Sequence, residues 1–180
     1  MKQPPLRDFF QPLTRRTFGE LGLGEGEVAD YLAEVLAVFA RTERLYRLRD
    51  PAGQPLTTIV EMLGMGLEVE SPAAERALHR HVGDFAIFMS GVFRPFIDRR
   101  GCLGLYLGEG ARAYGRVAAL SLGSSDPRTM LFAELSDRFE TYSGALDYLR
   151  KVSFHGLAGP DPIRAFLREI ESVLTGLSRN

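Results

Sequence analysis

The stretch with the greatest chemical potential is His81-Val82-Gly83-Asp84-Phe85-Ala86-Ile87-Phe88-Met89-Ser90-Gly91-Val92-Phe93. Its apolar residues cover most of a helical circumference, the pattern of a helix buried on nearly all sides. Asp84 therefore sits where an ionised carboxylate is costly unless a donor or a counter-charge meets it. Two roles fit such an acid. It can stand beside a narrow slot and bind a ligand, or it can pair with an arginine or a tyrosine hydroxyl and fix the packing. Structural networks perturb buried acids as sites do, so packing is the simpler expectation. Gly83 and Gly91, two turns apart, are expected to open one face to a neighbouring backbone.

His81 and Asp84 share a helix face, whereas His79 points elsewhere. That gives at most two local ligands for a metal ion, and Glu109 or His155 would have to complete the set from another helix. The spacing is unlike the paired Glu-x-x-His motifs of di-iron bundles, and no metal and no cofactor are expected.

Tyr106-Leu107-Gly108-Glu109-Gly110-Ala111-Arg112-Ala113-Tyr114 is the second unusual stretch. Tyr106, Gly110 and Tyr114 are spaced four and four, so two phenols flank a glycine notch on one helix face. Such a groove can recognise a small ligand, or it can receive a neighbouring helix while the hydroxyls satisfy buried acids such as Asp84. The ligand-binding candidates are thus Asp84, Tyr106, Tyr114 and His81. Elsewhere the signals are weak. Gly22-Leu23-Gly24-Glu25-Gly26 lacks the preceding strand of a dinucleotide fingerprint, and no P-loop lysine exists. Cys102 and the serines have no nucleophile context. Nothing in the chain is an enzyme motif.

The elements that must position these residues are helical. From Glu27 to about Leu48, Val28, Tyr31, Leu32, Val35, Leu36, Phe39, Leu45 and Tyr46 form a core-facing stripe of period near 3.6. Acids lie early in it and Arg41, Arg44, Arg47 and Arg49 late, as the helix dipole favours. A shorter pattern runs from Leu56 to Leu67. Ser71-Pro72 is a cap followed by proline at the first helical position, opening a helix that should run to about Ile97. Within it Pro95 removes the bond to the Gly91 carbonyl, predicting a kink or early stop. A helix from about Leu103 to Leu120 carries the Tyr106–Tyr114 face. Asp126-Pro127 starts another, with Phe132, Leu135, Phe139, Tyr142, Leu146 and Leu149. His155 to Gly159 breaks the pattern, and Asp161-Pro162 starts a last helix. No stretch alternates for long enough to be a convincing strand. The expected fold is all-α: one domain over residues 1–180, six or seven helices around a nearly fully buried central helix at Asp84–Phe96, with 1–24 as an N-terminal arm or short helix.

Composition sets the outer limits. The chain has 180 residues, 45% hydrophobic and 25% charged, and so can bury a core of its own. A net charge of -1 provides no global field for nucleic acid or an anionic membrane. The single cysteine excludes an internal disulfide. The N-terminus has prolines and charges where a signal peptide has an apolar run, and the longest nearly uncharged run, Asp84 to Arg94, is far short of the ~20 residues a membrane span needs. A soluble, cytoplasmic protein is expected. The arginines from Arg41 to Arg49 suit a solvated helix end better than a nucleic-acid patch, since the domain is slightly acidic.

Three stretches, HVGDFAIFMSGVF, YLGEGARAYGRVAAL and LFAELSDRFETYSGALDYL, together resemble an uncharacterised bacterial protein family. In it a Gly-Asp–aromatic–Ser-Gly–Phe segment precedes a Tyr-x3-Gly-x3-Tyr segment and a Phe-x-Glu-Leu helix. The resemblance spans Leu78 to Leu149 and falls on Gly83, Asp84, Ser90, Gly91, Phe93, Tyr106, Gly110, Tyr114 and Phe132 to Phe139. It implies the same helical segmentation and no chemistry; Arg94-Pro95 departs from the family's proline-acid pair. The expected function is a non-enzymatic helical module that binds a partner protein or a small ligand, without nucleic acid or membrane, and with a homo-oligomer left open. The alternative is a metal- or small-molecule-dependent enzyme built around Asp84, Tyr106 and Tyr114.

Overall fold

The structure, a computed structural model, describes residues 6–24, 26–41, 48–49, 51–54, 56–64, 69–154, 164–169 and 172. Their order is α1 (Leu6–Glu20), α2 (Glu27–Phe39), α3 (Ile59–Gly64), α4 (Pro72–Val92), α5 (Arg94–Arg99), α6 (Leu103–Ser121), α7 (Thr129–Asp137) and α8 (Phe139–Ser153), with 164–169 also helical. There is no strand among the described residues, and the fold is all-α.

The first segment is a full helix. Leu6, Phe10, Thr14, Thr17 and Phe18 are buried at helical spacing, and Thr14 Oγ1 satisfies itself on the Phe10 carbonyl at 3.2 Å. A two-pronged bond from Arg15 to Asp30, both distances 2.7 Å, fastens α1 to α2, and Gln11 adds a third donor at 3.0 Å. The chain turns between the two helices through Gly22 and Gly24, at φ of 68° and 82°, where a side chain would be strained.

α2 is shorter than its apolar pattern suggests. It ends at Phe39, capped by Ala40, because Ala40-Arg41-Thr42-Glu43-Arg44 offers no large apolar side chain to carry the stripe onward. Arg44, Leu45, Tyr46 and Arg47 lie outside the described residues, as do Leu67, His155 to Ile163, Leu174 and Leu177. Before α3, the Glu61 carboxylate accepts the amides of Thr57 and Thr58 at 2.8 and 3.0 Å, and Thr58 Oγ1 accepts the Glu61 amide at 3.3 Å. This is a reciprocal capping box.

α4 is the central helix. Ser71 Oγ accepts the Ala74 amide at 3.2 Å, as the Ser-Pro start requires. Ser71→Ala is therefore expected to lower stability by about 1 kcal/mol, read as a fall in the urea midpoint with an unchanged slope. From His81 to Val92 every residue except Asp84 is buried. The helix stops at Val92 rather than running to Ile97. Phe93 takes φ −108° and ψ 25°, and Pro95 stands in the first turn of α5, where its missing N–H is harmless. Phe96, assigned from sequence to the central helix, thus belongs to α5.

α4 packs most extensively on α6 and then on α8, α1 on α2, and α6 on α7. The contact of α2 with α4 is slight by comparison. The glycines explain the close sides. A side chain at Gly83 would meet the Tyr114 ring at 2.6 Å, and one at Gly91 would meet Leu146 Cβ at 2.6 Å. Gly83 and Gly91 thus admit two different helices, α6 and α8, rather than opening one common face. The Asp126 start also differs in detail. Asp126 Oδ1 accepts the Arg128 amide at 2.8 Å, a turn that precedes a helix beginning at Thr129, and that helix breaks again at Arg138 (φ −117°, ψ 26°). No proline or glycine marks the Arg138 break.

Candidate functional site

Asp84 comes from the buried run of α4, four residues after Arg80. Two phenols donate to the same oxygen: Tyr31 of α2 at 2.6 Å and Tyr114 of α6 at 2.8 Å, both to Oδ1. Arg80 Nε donates to the Tyr31 hydroxyl at 3.1 Å and stands 3.9 Å from Asp84 Oδ2. The tyrosine donor expected from the α6 face is present. The second donor, Tyr31, carries no signal of its own in the sequence, where it reads as one more member of the α2 core stripe.

The environment of this cluster is aromatic. Phe132 of α7 lies edge-on to Tyr31 at 5.4 Å and beside Tyr114 at 5.7 Å between ring centroids, and Phe139 closes the other side of Tyr114 at 5.8 Å. The Arg80 guanidinium lies 5.4 Å from the Tyr31 ring centre and 5.8 Å from that of Phe132. Burial pushes both phenols well above their ordinary pKa, and the Asp84 charge pushes further the same way. Both therefore remain protonated donors across the physiological range.

Tyr114 is fully buried and holds Asp84 from behind. On the other side of Tyr31 the slight α2–α4 contact leaves a cleft of about 780 Å³. One face of α4 lines it with Ala73, Arg76, Ala77, Arg80, His81 and Asp84, a run of threes and fours. Tyr31, Glu34, Val35, Ala37, Val38 and Phe39 of α2 form the facing wall. Leu6 and Arg7 of α1 and Arg41 just beyond α2 complete it.

The other sequence candidates fall as follows. His81 is 3% exposed at the inner end of the cleft, its ring 5.5 Å from Phe39 and 6.5 Å from Phe85. Tyr106 is buried, its ring 6.2 Å from that of Phe85, and does not line the cleft. The glycine notch between Tyr106 and Tyr114 is filled: a side chain at Gly110 would strike Phe139 and come within 2.7 Å of Ala86 Cβ. The notch receives helices, not a ligand. His79 faces away, 3.7 Å from Glu75, and burial holds its imidazole below the usual pKa against the pull of that carboxylate. Glu109 pairs with Arg112. Among the described residues no three His, Cys, Asp or Glu side chains gather around one point that could hold a metal ion. No helix of the described residues is long and apolar enough to cross a membrane.

Sequence reasoning overlooks Arg76 and Arg80. Their signal is the spacing Ala73, Arg76, Ala77, Arg80, Asp84, which puts two guanidiniums and the acid on one face of a helix already identified. No protein-family model, curated protein or solved structure matches this chain.

Proposed function

We propose that the chain is a binding module that takes a small ligand in the cleft between α2 and α4. One observation carries this reading: a concave space of about 780 Å³ whose floor holds a carboxylate fixed by two phenols. Ligand sites in proteins occupy roughly 300–1,000 Å³, with a few fixed polar groups in a largely apolar lining. The Asp84 cluster meets that description. Both phenols are committed to one oxygen and stay protonated, an arrangement that holds a shape rather than shuttles a proton. That favours binding over the enzyme alternative built on Asp84, Tyr106 and Tyr114, as does the position of Tyr106 outside the cleft.

The test is a fragment library of neutral, cationic and anionic members screened by amide chemical shifts of the ¹⁵N-labelled protein. Hits are expected to move a contiguous set on both walls, including Ala37, Val38, Ala73 and Ala77, and to lose their effect in Ala77→Trp, whose ring fills the space from the cleft-lining face of α4. Shifts confined to other faces, or hits indifferent to the tryptophan, would remove the cleft as the site.

A further inference from the structure

We infer that the ligand of this cleft is an amphiphilic anion, a small molecule with a phosphate or carboxylate head and an apolar body. This rests on the cleft being the ligand site and adds the class of molecule it selects. Among the described residues four guanidiniums, of Arg7, Arg41, Arg76 and Arg80, line the cleft together with two carboxylates, of Glu34 and Asp84. The two carboxylates offset these charges only in part, Glu34 beside Arg7 and Asp84 beside Arg80, and a net positive charge remains among the described lining residues. Glu34 is already shared, 3.4 Å from Arg7 and 3.5 Å from Arg128. Asp84 receives two phenols and lies 3.9 Å from Arg80, beyond hydrogen-bond length. Arg76 reaches Asp126 with one terminal nitrogen, while its Nε is buried with no hydrogen-bond partner among the described residues. Asp126 itself lies outside the lining.

A concave wall of low polarizability focuses such a surplus of positive charge. The flat fork of arginine matches the paired oxygens of a carboxylate or phosphate, and a cationic ligand would have to enter against the net positive charge of the lining. Much of the remaining described wall is aliphatic, with Tyr31, Phe39 and His81 as its aromatic members. Ala37 and Val38 of α2 face Ala73 and Ala77 of α4, and Val38 is 45% exposed. This surface lies beside the arginines, so a ligand that carries both a charge and a hydrocarbon body satisfies both. A bare inorganic anion leaves the aliphatic wall in water.

The experiment titrates the ¹⁵N-labelled full chain with n-octyl phosphate, octanoate, inorganic phosphate, octanol and octylamine, followed by amide shifts at the cleft. At least one of octyl phosphate and octanoate is expected to bind about tenfold or more tighter than octanol, octylamine and inorganic phosphate; which of the two wins identifies the head group. Binding is expected to weaken as salt rises, to fall about tenfold or more in Arg76→Gln/Arg80→Gln, and to fall roughly threefold in Arg41→Gln, an exposed position outside the core. If octanol or octylamine shifts the cleft amides more tightly than both anions, the cleft stands and the anion assignment fails. Equal affinity for inorganic and octyl phosphate removes the apolar body from the proposal. If both arginine variants bind the anions as wild type does, the inference is wrong. If no probe moves a cleft amide, the ligand site itself fails with it.

Discussion

Asp84→Ala is expected to destabilise the protein by about 2–4 kcal/mol, because it strands two buried phenols at once and an unsatisfied buried donor costs ~1–3 kcal/mol. Tyr31 and Tyr114 are 3% and 0% exposed, so both hydroxyls lose a buried acceptor. For a chain of this length that is a fall of roughly 5–15 °C in Tm. Asp84→Asn provides the control. Its carbonyl oxygen can still accept from both phenols at the Oδ1 position, while its NH₂ replaces the oxygen that lies 3.9 Å from Arg80, so it should lose only about 1 kcal/mol. Tyr31→Phe and Tyr114→Phe each remove one donor. A double-mutant cycle of either with Asp84→Ala should show strong coupling, since the residues are in direct contact. An alanine variant as stable as wild type would contradict the packing role and indicate a carboxylate strained for binding, whose removal costs nothing in stability.

That cluster also shows what a sequence of this kind discloses. The acid is legible because a carboxylate inside an apolar helix must find a donor, and the Tyr106–Tyr114 face, with a glycine between its phenols, is the place for one. Tyr114 fulfils this, whereas Tyr106, on the same face, goes to Phe85. Spacing fixes the face of a residue but not its depth along the partner helix. Tyr31 is invisible for a related reason: a tyrosine in a core stripe gives no sign that its hydroxyl reaches a helix 53 residues away. The Ser71 cap and the Pro95 stop are legible because their causes are local. The break at Arg138 is not, since the residues around it continue a helical pattern without interruption. The cleft is the hardest to see. It exists because α2 meets α4 only lightly, and weak contact between two amphipathic helices leaves no trace in either one's periodicity.

The glycines of α6 carry the second large effect, and they separate helix propensity from packing within a single element. In isolation every glycine-to-alanine change inside a helix is favourable by about 1 kcal/mol. At Gly104 a methyl group in place of the hydrogen would meet no heavy atom within 4 Å, so Gly104→Ala is expected to realise that gain, about 0.5–1 kcal/mol. Gly110, six residues on in the same helix, is buried. Its methyl would collide with the Phe139 ring and sit 2.7 Å from Ala86 Cβ. The alanine of α4 has no rotamer with which to retreat. Phe139 is 2% exposed and locked beside Tyr114, ring centroids 5.8 Å apart, so it can move only by disturbing the aromatic wall around Asp84. Overpacking of this kind costs about 1–3 kcal/mol or more, which outweighs the propensity gain. Gly110→Ala is thus expected to destabilise by about 1–3 kcal/mol and Gly110→Val by more, both read from denaturant midpoints against Gly104→Ala. The sign is what decides. If Gly110→Ala stabilises as Gly104→Ala does, α6 is not pressed against α4 and α8 as described, and the phenol of Tyr114 is not held on Asp84 by that packing.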